Sequence, residues 1–336
     1  MNIYAYGDGG VSEEVRLRYP LSQMIASKDF DYILHTGTIK EGSRLPLDKD
    51  GIYIFSRPMA TLNAAILSLK QSGAKIIIDV DDNFWAIPKS HVGYTAVGPG
   101  SKNIIALEMV LPLADVVTVS TSPLAEYFKY RKFIENPVVI PNVCNSHNQY
   151  NCFPRRKSKY VRYGFSGTIT HREDFKVIVK PMMQFLKEQP LAQIAIGCDP
   201  EIYRFFRLVP EQQKIFVPSY PYKYYPAQLS FFDLMLIPLV KDTFNHGKSD
   251  IKILDSIVNG KPFIASNVYP YMPYKDSGAG IVIDNDETSW YNALNTMFSE
   301  ESRKRFSSAG LELAKQHHVN TSAETWKSII SELRTK

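Results

Sequence analysis

Apolar and polar positions along the chain follow a repeated strand–helix rhythm. Residues 2–6, 31–35 and 51–55 read as short strands. Residues 75–79, Lys-Ile-Ile-Ile-Asp, form the near-continuous apolar run expected at the centre of a parallel sheet. Helical spacing appears at 12–27, 61–72 and 102–113, and again from Ser122, where Pro123 suits the first turn. Strands at 116–120 and 137–142 complete this set. The rhythm then restarts, with strands at 163–166, 193–196, 215–217, 232–237, 263–265 and 280–283. Helices are expected at 175–187 and 249–258, and from Ser289, Ser299 and Ser322. Two rounds of β/α alternation predict an α/β protein of two Rossmann-like domains with parallel sheets. The polar stretch 145–159, with Arg155, Arg156, Lys157 and Lys159, marks the linker. The expected division is therefore residues 1–150, residues 151–315, and a C-terminal helix over 316–336 able to pack back on the first domain.

Residues 245–265 carry the densest chemistry. Asn245-His-Gly-Lys-Ser reads as a loop, and Ser249 suits the cap of a helix. Ile251, Leu254, Ile257 and Val258 make one apolar stripe, and Lys248, Lys252 and Asp255 are expected off it. Asn259-Gly260 and Pro262 stop the helix before the strand at Phe263. A helix start with unpaired N–H groups, its positive dipole end and nearby lysines suits an anionic ligand. An amphipathic helix with a solvated charged face fits the same local pattern.

Composition narrows the class. The 336 residues include 39 Lys and Arg against 34 Asp and Glu, a formal charge of +5. That mild basicity is compatible with a phosphorylated ligand, a peripheral membrane contact or nucleic acid. Three cysteines, Cys144, Cys152 and Cys198, form no Cys-x-x-Cys pair, which speaks against a disulfide framework or a thiolate zinc site. The longest apolar run, 229–240, contains Asp233 and Pro238 and falls short of the ~20 residues of a membrane span. The first residues lack the basic start of a signal peptide, so the expected location is cytoplasmic.

Two further stretches sit where strands end. Gly7-Asp-Gly-Gly10 joins the first strand to a helix, as phosphate-cradling loops do, but without the G-x-G-x-x-G spacing. Asp79, Asp81 and Asp82 stand at the end of the central apolar strand, where open α/β sheets place ligand groups. Capping of loop N–H groups is the structural alternative. No His or Glu cluster accompanies them, so no metal is expected.

Taken in order, Asp79-Val-Asp-Asp-x-Phe-Trp, Ala114-Asp-Val-Val-Thr-Val-Ser-Thr, Val139-Ile-Pro-Asn, Phe165-Ser-Gly-Thr, Asp233-Leu-Met-Leu-Ile-Pro-Leu and Lys248-Ser-x-Ile-Lys-x-Leu-Asp…Gly260-x-Pro-x-Ile-Ala-Ser266 resemble the retaining GT-B glycosyltransferases of the family-four-like group. The resemblance implies two Rossmann-like domains facing a central cleft, a UDP- or GDP-sugar donor, retention at the anomeric carbon and no required cofactor or metal. It places Gly9 and Gly10 in the loop near the donor diphosphate, and His171 and Arg172 near the basic pair that meets phosphate. Lys248 and Ser249 match phosphate contacts, with Lys248 also assigned to catalysis. Asp255 takes the place of a ribose-binding Glu, Tyr220 lies near the base, and Asp81 or Asp82 falls in the acceptor-side catalytic loop. Two departures stand out: Gly247 and Asp255 occupy the positions of the family's paired glutamates, so one acidic sugar contact is absent and the other is one methylene shorter, and Gly167-Thr168 stands where a Gly-Arg often opens the donor domain.

The expected activity is sugar transfer from a nucleotide sugar to a hydroxyl of a saccharide or lipid-linked glycan, with retention. The basic, aromatic stretches 127–133 and 155–163 support an alternative, glycosylation of a hydroxymethylated base in bacteriophage DNA. A non-catalytic nucleotide-sugar-binding relative is the third reading.

Overall fold

A computed structural model describes residues 1–26, 32–38, 44–58, 60–143, 158–197, 199–317 and 319–335. The chain forms two compact units. Unit 1 holds Met1–Asn145, Gly247–Ser249 and Val319–Lys336; unit 2 holds Ser146–His246 and Asp250–His318. Most of the basic linker stretch expected at 145–159, including Arg155, Arg156 and Lys157, lies outside the described residues.

Unit 1 is built on β1 (Asn2–Gly7), β2 (Ile33–Thr38), β3 (Ile52–Ser56), β4 (Lys75–Val80), β5 (Val116–Val119) and β6 (Val138–Val139). They form one parallel sheet in the order β2-β1-β3-β4-β5-β6. The order reverses between β1 and β3, so the topological switch point lies there. Ile3, Ala5, Ile52, Ile54 and Ile77 face Leu17, Leu21 and Met24 on one side, together with Trp326, Ile330 and Leu333 of the helix Asn320–Thr335. The other face is buried too, with Tyr53, Phe55, Ile76 and Ile78 at 0–1% exposure, which explains the near-continuous apolar strands. The strand expected over 137–142 shortens to Val138–Val139, because Pro137 and Pro141 have no N–H for a ladder.

The helix after β1 departs from expectation. It runs as Val11–Glu13, a π-helical turn Glu14–Arg18, and Tyr19–Ala26. Insertions of this kind are rare and cluster near functional sites. Here the π turn carries Arg16, which is 2% exposed. Its Nη2 and Nε meet both oxygens of Asp79 at 2.6 and 3.2 Å. Its Nη1 donates to the carbonyl of Ile140 and to Asn142. Asp79 also accepts from Thr118 Oγ1 at 2.7 Å and Ser56 Oγ at 3.4 Å.

Unit 2 repeats the plan with β7 (Val161–Ser166), β8 (Ala192–Gly197), β9 (Lys214–Val217), β10 (Leu234–Ile237), β11 (Phe263–Ser266) and β12 (Gly280–Ile283). Its parallel order is β12-β11-β10-β7-β8-β9, with the switch point between β7 and β10. One core packs Phe175, Ile178, Met182 and Phe185 of the helix Arg172–Glu188 with Trp290, Leu294 and Met297 of the helix Glu287–Phe298. Gly164 on β7 is required by packing: a Cβ there would lie 2.0 Å from the ring of Phe232.

Removing one partner of a buried ion pair leaves an uncompensated charge. Arg16→Met is expected to cost about 3–5 kcal/mol of unfolding free energy. Arg16→Met combined with Asp79→Leu is expected to recover much of that loss. Denaturant unfolding of the two variants checks both outcomes.

Candidate functional site

In each unit the polar side chains gather at the carboxyl ends of the strands. In unit 1 the loop after β1 turns through Gly9 at φ +79°. Gly7 allows the backbone to rest on Glu13, since a Cβ there would come within 2.6 Å of Glu13 Cγ. Glu13 is 2% exposed and accepts from Gly9 N at 2.6 Å, Thr38 Oγ1 at 3.3 Å and Arg18 Nε at 2.7 Å. Gly10 N donates to Asp8 Oδ1 at 2.9 Å. The glycine N–H groups expected to meet a diphosphate therefore bond to the chain's own carboxylates.

Across the switch point, Arg57 follows β3 in left-handed backbone, φ +50°. Its guanidinium grips Asp81 with two N–H groups, Nη2 reaching Oδ2 at 2.8 Å, and the same Nη2 reaches Asp82 Oδ2 at 3.3 Å. Nη1 lies 3.8 Å from Asp8 Oδ2, and the group sits over the ring of Phe84. Burial pushes the Asp81 carboxyl upward, but the Arg57 charge and hydrogen bonds, with a bond to Ser12, hold it below the usual range. Lys248 Nζ meets Asp82 Oδ1 at 3.3 Å. Thr121 Oγ1 donates to the carbonyl of Gly247, and Asn142 Nδ2 donates to Ser249 Oγ at 2.7 Å. Ser249 is thus not the helix cap expected from sequence. The helix starts after Asp250, as Ile251–Val258, with no side-chain cap.

In unit 2, His171 Nδ1 lies 3.0 Å from Asp174 Oδ2. Asp174 Oδ1 accepts from Val240 N, just past β10, at 2.9 Å and from Asn245 Nδ2 at 3.0 Å. These bonds span the β7/β10 switch point. Lys252 Nζ donates to the carbonyl of Ser166 at 2.8 Å and rides over the ring of Phe165. Asp255 is expected off the apolar stripe, yet it is 8% exposed, among Ile253, Leu254, Ile257 and Val258. The helix is enclosed between β10, β11 and the helix Glu300–Ala314, so its second turn has no solvent face at Asp255. Tyr222 Oη donates to Asp255 Oδ1 at 3.0 Å. Burial pushes Asp255 up to about 7, against the pull of Tyr222 and Lys252.

The structure brings Asp81, Asp82 and Lys248 together in unit 1. It places His171 in the turn after β7 and Asp255 in the second turn of the helix Ile251–Val258 of unit 2. Arg172 does not join His171; it is exposed, with its guanidinium near the ring of Phe205. Tyr220 is half-buried, and Tyr222 is the tyrosine that reaches Asp255. Sequence assigns no role to Arg57, Glu13 or Asn245, and of Lys252 it says only that it lies off the apolar stripe. Arg57 carries a legible signal, a charge at the end of the buried run Ile52-Tyr-Ile-Phe. Among the described residues no cluster of His, Cys, Asp and Glu could hold a metal ion, and no helix is long and apolar enough to cross a membrane.

No protein-family model matches the chain, and no curated protein matches it in sequence. Solved structures do match. Sucrose-phosphate synthase from Thermosynechococcus elongatus superposes with a TM-score of 0.70 at 14% identity, covering 99% of both chains. HepE from Anabaena in complex with UDP-glucose gives 0.70 at 12% identity, covering 99% of this chain and 100% of that one. A glycosyltransferase from Rickettsia africae ESF-5 gives 0.68 at 12% identity, covering 98% of each. The fold is the GT-B fold, two α/β units each with a six-stranded parallel sheet.

The raised Asp255 carboxyl has a stability consequence. Its folded value lies above the unfolded value near 4, so its favourable contribution is complete below pH ~4 and is lost as pH rises through about 7. Wild-type stability is expected to fall over that window by more than that of Asp255→Asn, by about 1.4 kcal/mol for each pH unit that separates the folded and unfolded values. Melting temperatures of both proteins from pH 4 to 8 check this; parallel curves would contradict it.

Proposed function

We propose that this protein is a glycosyltransferase that moves a sugar from a nucleotide-sugar donor, in our reading a UDP-sugar, to an acceptor hydroxyl with retention. The observation that carries the reading is the polar groups that follow β7 and β10 of a GT-B fold: His171, Asp174 and Asn245 are joined across the switch point, Lys252 reaches the carbonyl at the end of β7, and Asp255 on the same helix as Lys252 meets Tyr222. Open α/β sheets bind nucleotides at such points. HepE in complex with UDP-glucose and the pneumococcal O-GlcNAc transferase GtfA in complex with UDP and GlcNAc have similar folds and support a UDP-sugar as donor.

The chemistry such a site must supply is electrostatic. A sugar diphosphate leaves with charge developing on its oxygens, and preorganised cations and N–H donors stabilise that charge. We assign His171 and Lys252 to the diphosphate, and Lys248 keeps its assignment to catalysis. Asp255 and its Tyr222 partner are assigned to the ribose hydroxyls. Asp81 and Asp82 of unit 1 are assigned to the acceptor, a saccharide or lipid-linked glycan. With retention, the departing phosphate oxygen takes the acceptor proton, so no separate protein base is required.

A second reading keeps the donor and changes the acceptor to a hydroxymethylated DNA base. It is favoured by the surface at the end of the helix Ser122–Tyr130. There Tyr130 is 82% exposed beside exposed Lys129, Arg131 and Lys132, and the Arg131 guanidinium lies over Tyr127 and Phe133. Binding of duplex DNA that weakens steeply with salt would favour this reading.

UDP and UDP-glucose at 100 times their dissociation constants are expected to stabilise the protein by about 2.7 kcal/mol. Thermal unfolding with UDP, UDP-glucose and GDP-mannose tests this, and no shift with any of them would remove the donor assignment. Lys248→Ala is expected to lower turnover by at least ~10²-fold while the protein stays folded. Donor binding without transfer in the wild type would identify a non-catalytic relative.

A further inference from the structure

Arg57 occupies backbone that its side chain does not favour. A φ of +50° lies in the left-handed region, which is unfavourable for a non-glycine residue. Glycine would be relieved there, yet the position holds arginine, and its guanidinium accounts for the choice. The planar fork places Nε and Nη2 on the two oxygens of Asp81, an arrangement that lysine's single ammonium cannot reproduce. The same Nη2 continues to Asp82 Oδ2, while Lys248 takes Asp82 Oδ1 at 3.3 Å. Asp81 is further held by Ser12 on its carboxylate and by Ser120 Oγ on its carbonyl at 2.8 Å. The Asp81 side chain is 10% exposed and that of Asp82 21%. Neighbouring carboxylates on one loop thus differ: Asp81 is held by the fork, while Asp82, twice as exposed, carries a different cation on each oxygen.

We propose that Arg57 is a positioning residue for the transfer reaction, and that it sets Asp82 rather than Asp81 as the carboxylate presented to the acceptor hydroxyl. The assignment rests on the transferase reading above. Asp82 accepts the acceptor's hydrogen bond and orients its oxygen. Arg57 touches no substrate; it fixes the carboxylate that does. Its place beside the β1/β3 switch point is where a sheet of this order positions ligand groups.

Arg57→Gly removes the fork and suits the left-handed backbone, and Arg57→Lys keeps the charge without the fork. The first readout needs no activity. The groups facing Arg57 are Asp8, Asp81 and Asp82, with Lys248 on the far side of Asp82 and Arg16 acting on Asp81 from below. In the wild type the depressed Asp81 contributes stability that is present above the ordinary carboxylate range and lost as pH falls. Without Arg57, burial acts on Asp81 with less opposition and that contribution shrinks. The melting-temperature gap between wild type and Arg57→Gly is therefore expected to widen from pH 4 to pH 7. A gap independent of pH would overturn the coupling.

The second readout is transfer from UDP-glucose to methyl α-D-glucopyranoside. Asp82→Asn and Arg57→Gly are each expected to raise the acceptor KM by about tenfold or more, with Asp81→Asn affecting it less and Arg57→Lys recovering part of the loss. An acceptor KM within twofold of wild type in Arg57→Gly, or a larger effect from Asp81→Asn than from Asp82→Asn, overturns the assignment alone. A wild-type protein that transfers no glucose and binds no UDP overturns the transferase reading and this assignment together.

Discussion

The buried pair between Arg16 and Asp79 is the constraint on which unit 1 depends. Two charges at 2% and 0% exposure must be desolvated, at several kcal/mol each, and are tolerated only because their hydrogen-bonding groups find partners. Those partners are Ser56 at the end of β3, Thr118 on β5, and Ile140 and Asn142 beyond β6. The pair therefore ties together the carboxyl ends of neighbouring strands and draws the π turn of the first helix against them. Asp8, Arg57, Asp81 and Asp82 stand directly after β1, β3 and β4, and Lys248 joins them to make a half-buried layer. A satisfied charge pair below makes a rigid base for a solvent-facing one above, because the loops that carry the second layer begin where the first has fixed the backbone.

Unit 2 joins its strand ends through Asp174. Asp174 is satisfied by an N–H at Val240, the amide of Asn245 and the ring of His171, and so couples the ends of β7 and β10. Asp255 is treated differently. It is buried in an apolar helix with Tyr222 and Lys252 as its moderating neighbours, and it rises to about 7. A carboxyl left poised near neutrality is a common mark of a site that awaits a ligand. Asp174 couples two strand ends, whereas Asp255 carries the cost of its own burial.

Much of this was legible along the chain. The apolar run Lys75-Ile-Ile-Ile-Asp79 announced a central strand, and Asp79, Asp81 and Asp82 announced a polar cluster at its carboxyl end. What could not be read was the division of labour among the three. Asp79 became structural, Asp81 took the fork of Arg57, and Asp82 stayed partly exposed. The glycine loop shows the same limit. Gly7, Gly9 and Gly10 foretold a tight turn after β1, but not that Glu13 and Asp8 would occupy its N–H groups.

Residue order alone was enough for the alternation of strand and helix, the two rounds of it, and the positions of polar residues just past each apolar strand. These follow from local periodicity and turn chemistry, which act over a few residues. Which charges meet is a property of the packed chain. Arg16 and Asp79 are 63 positions apart, Arg57 and Asp81 are 24 apart, and Lys248 and Asp82 are 166 apart. Those meetings depend on strand order, with β1 lying beside β3, and on the burial that order imposes. Periodicity says which face of a helix is apolar, but only the packed neighbours put Asp255 inside with it.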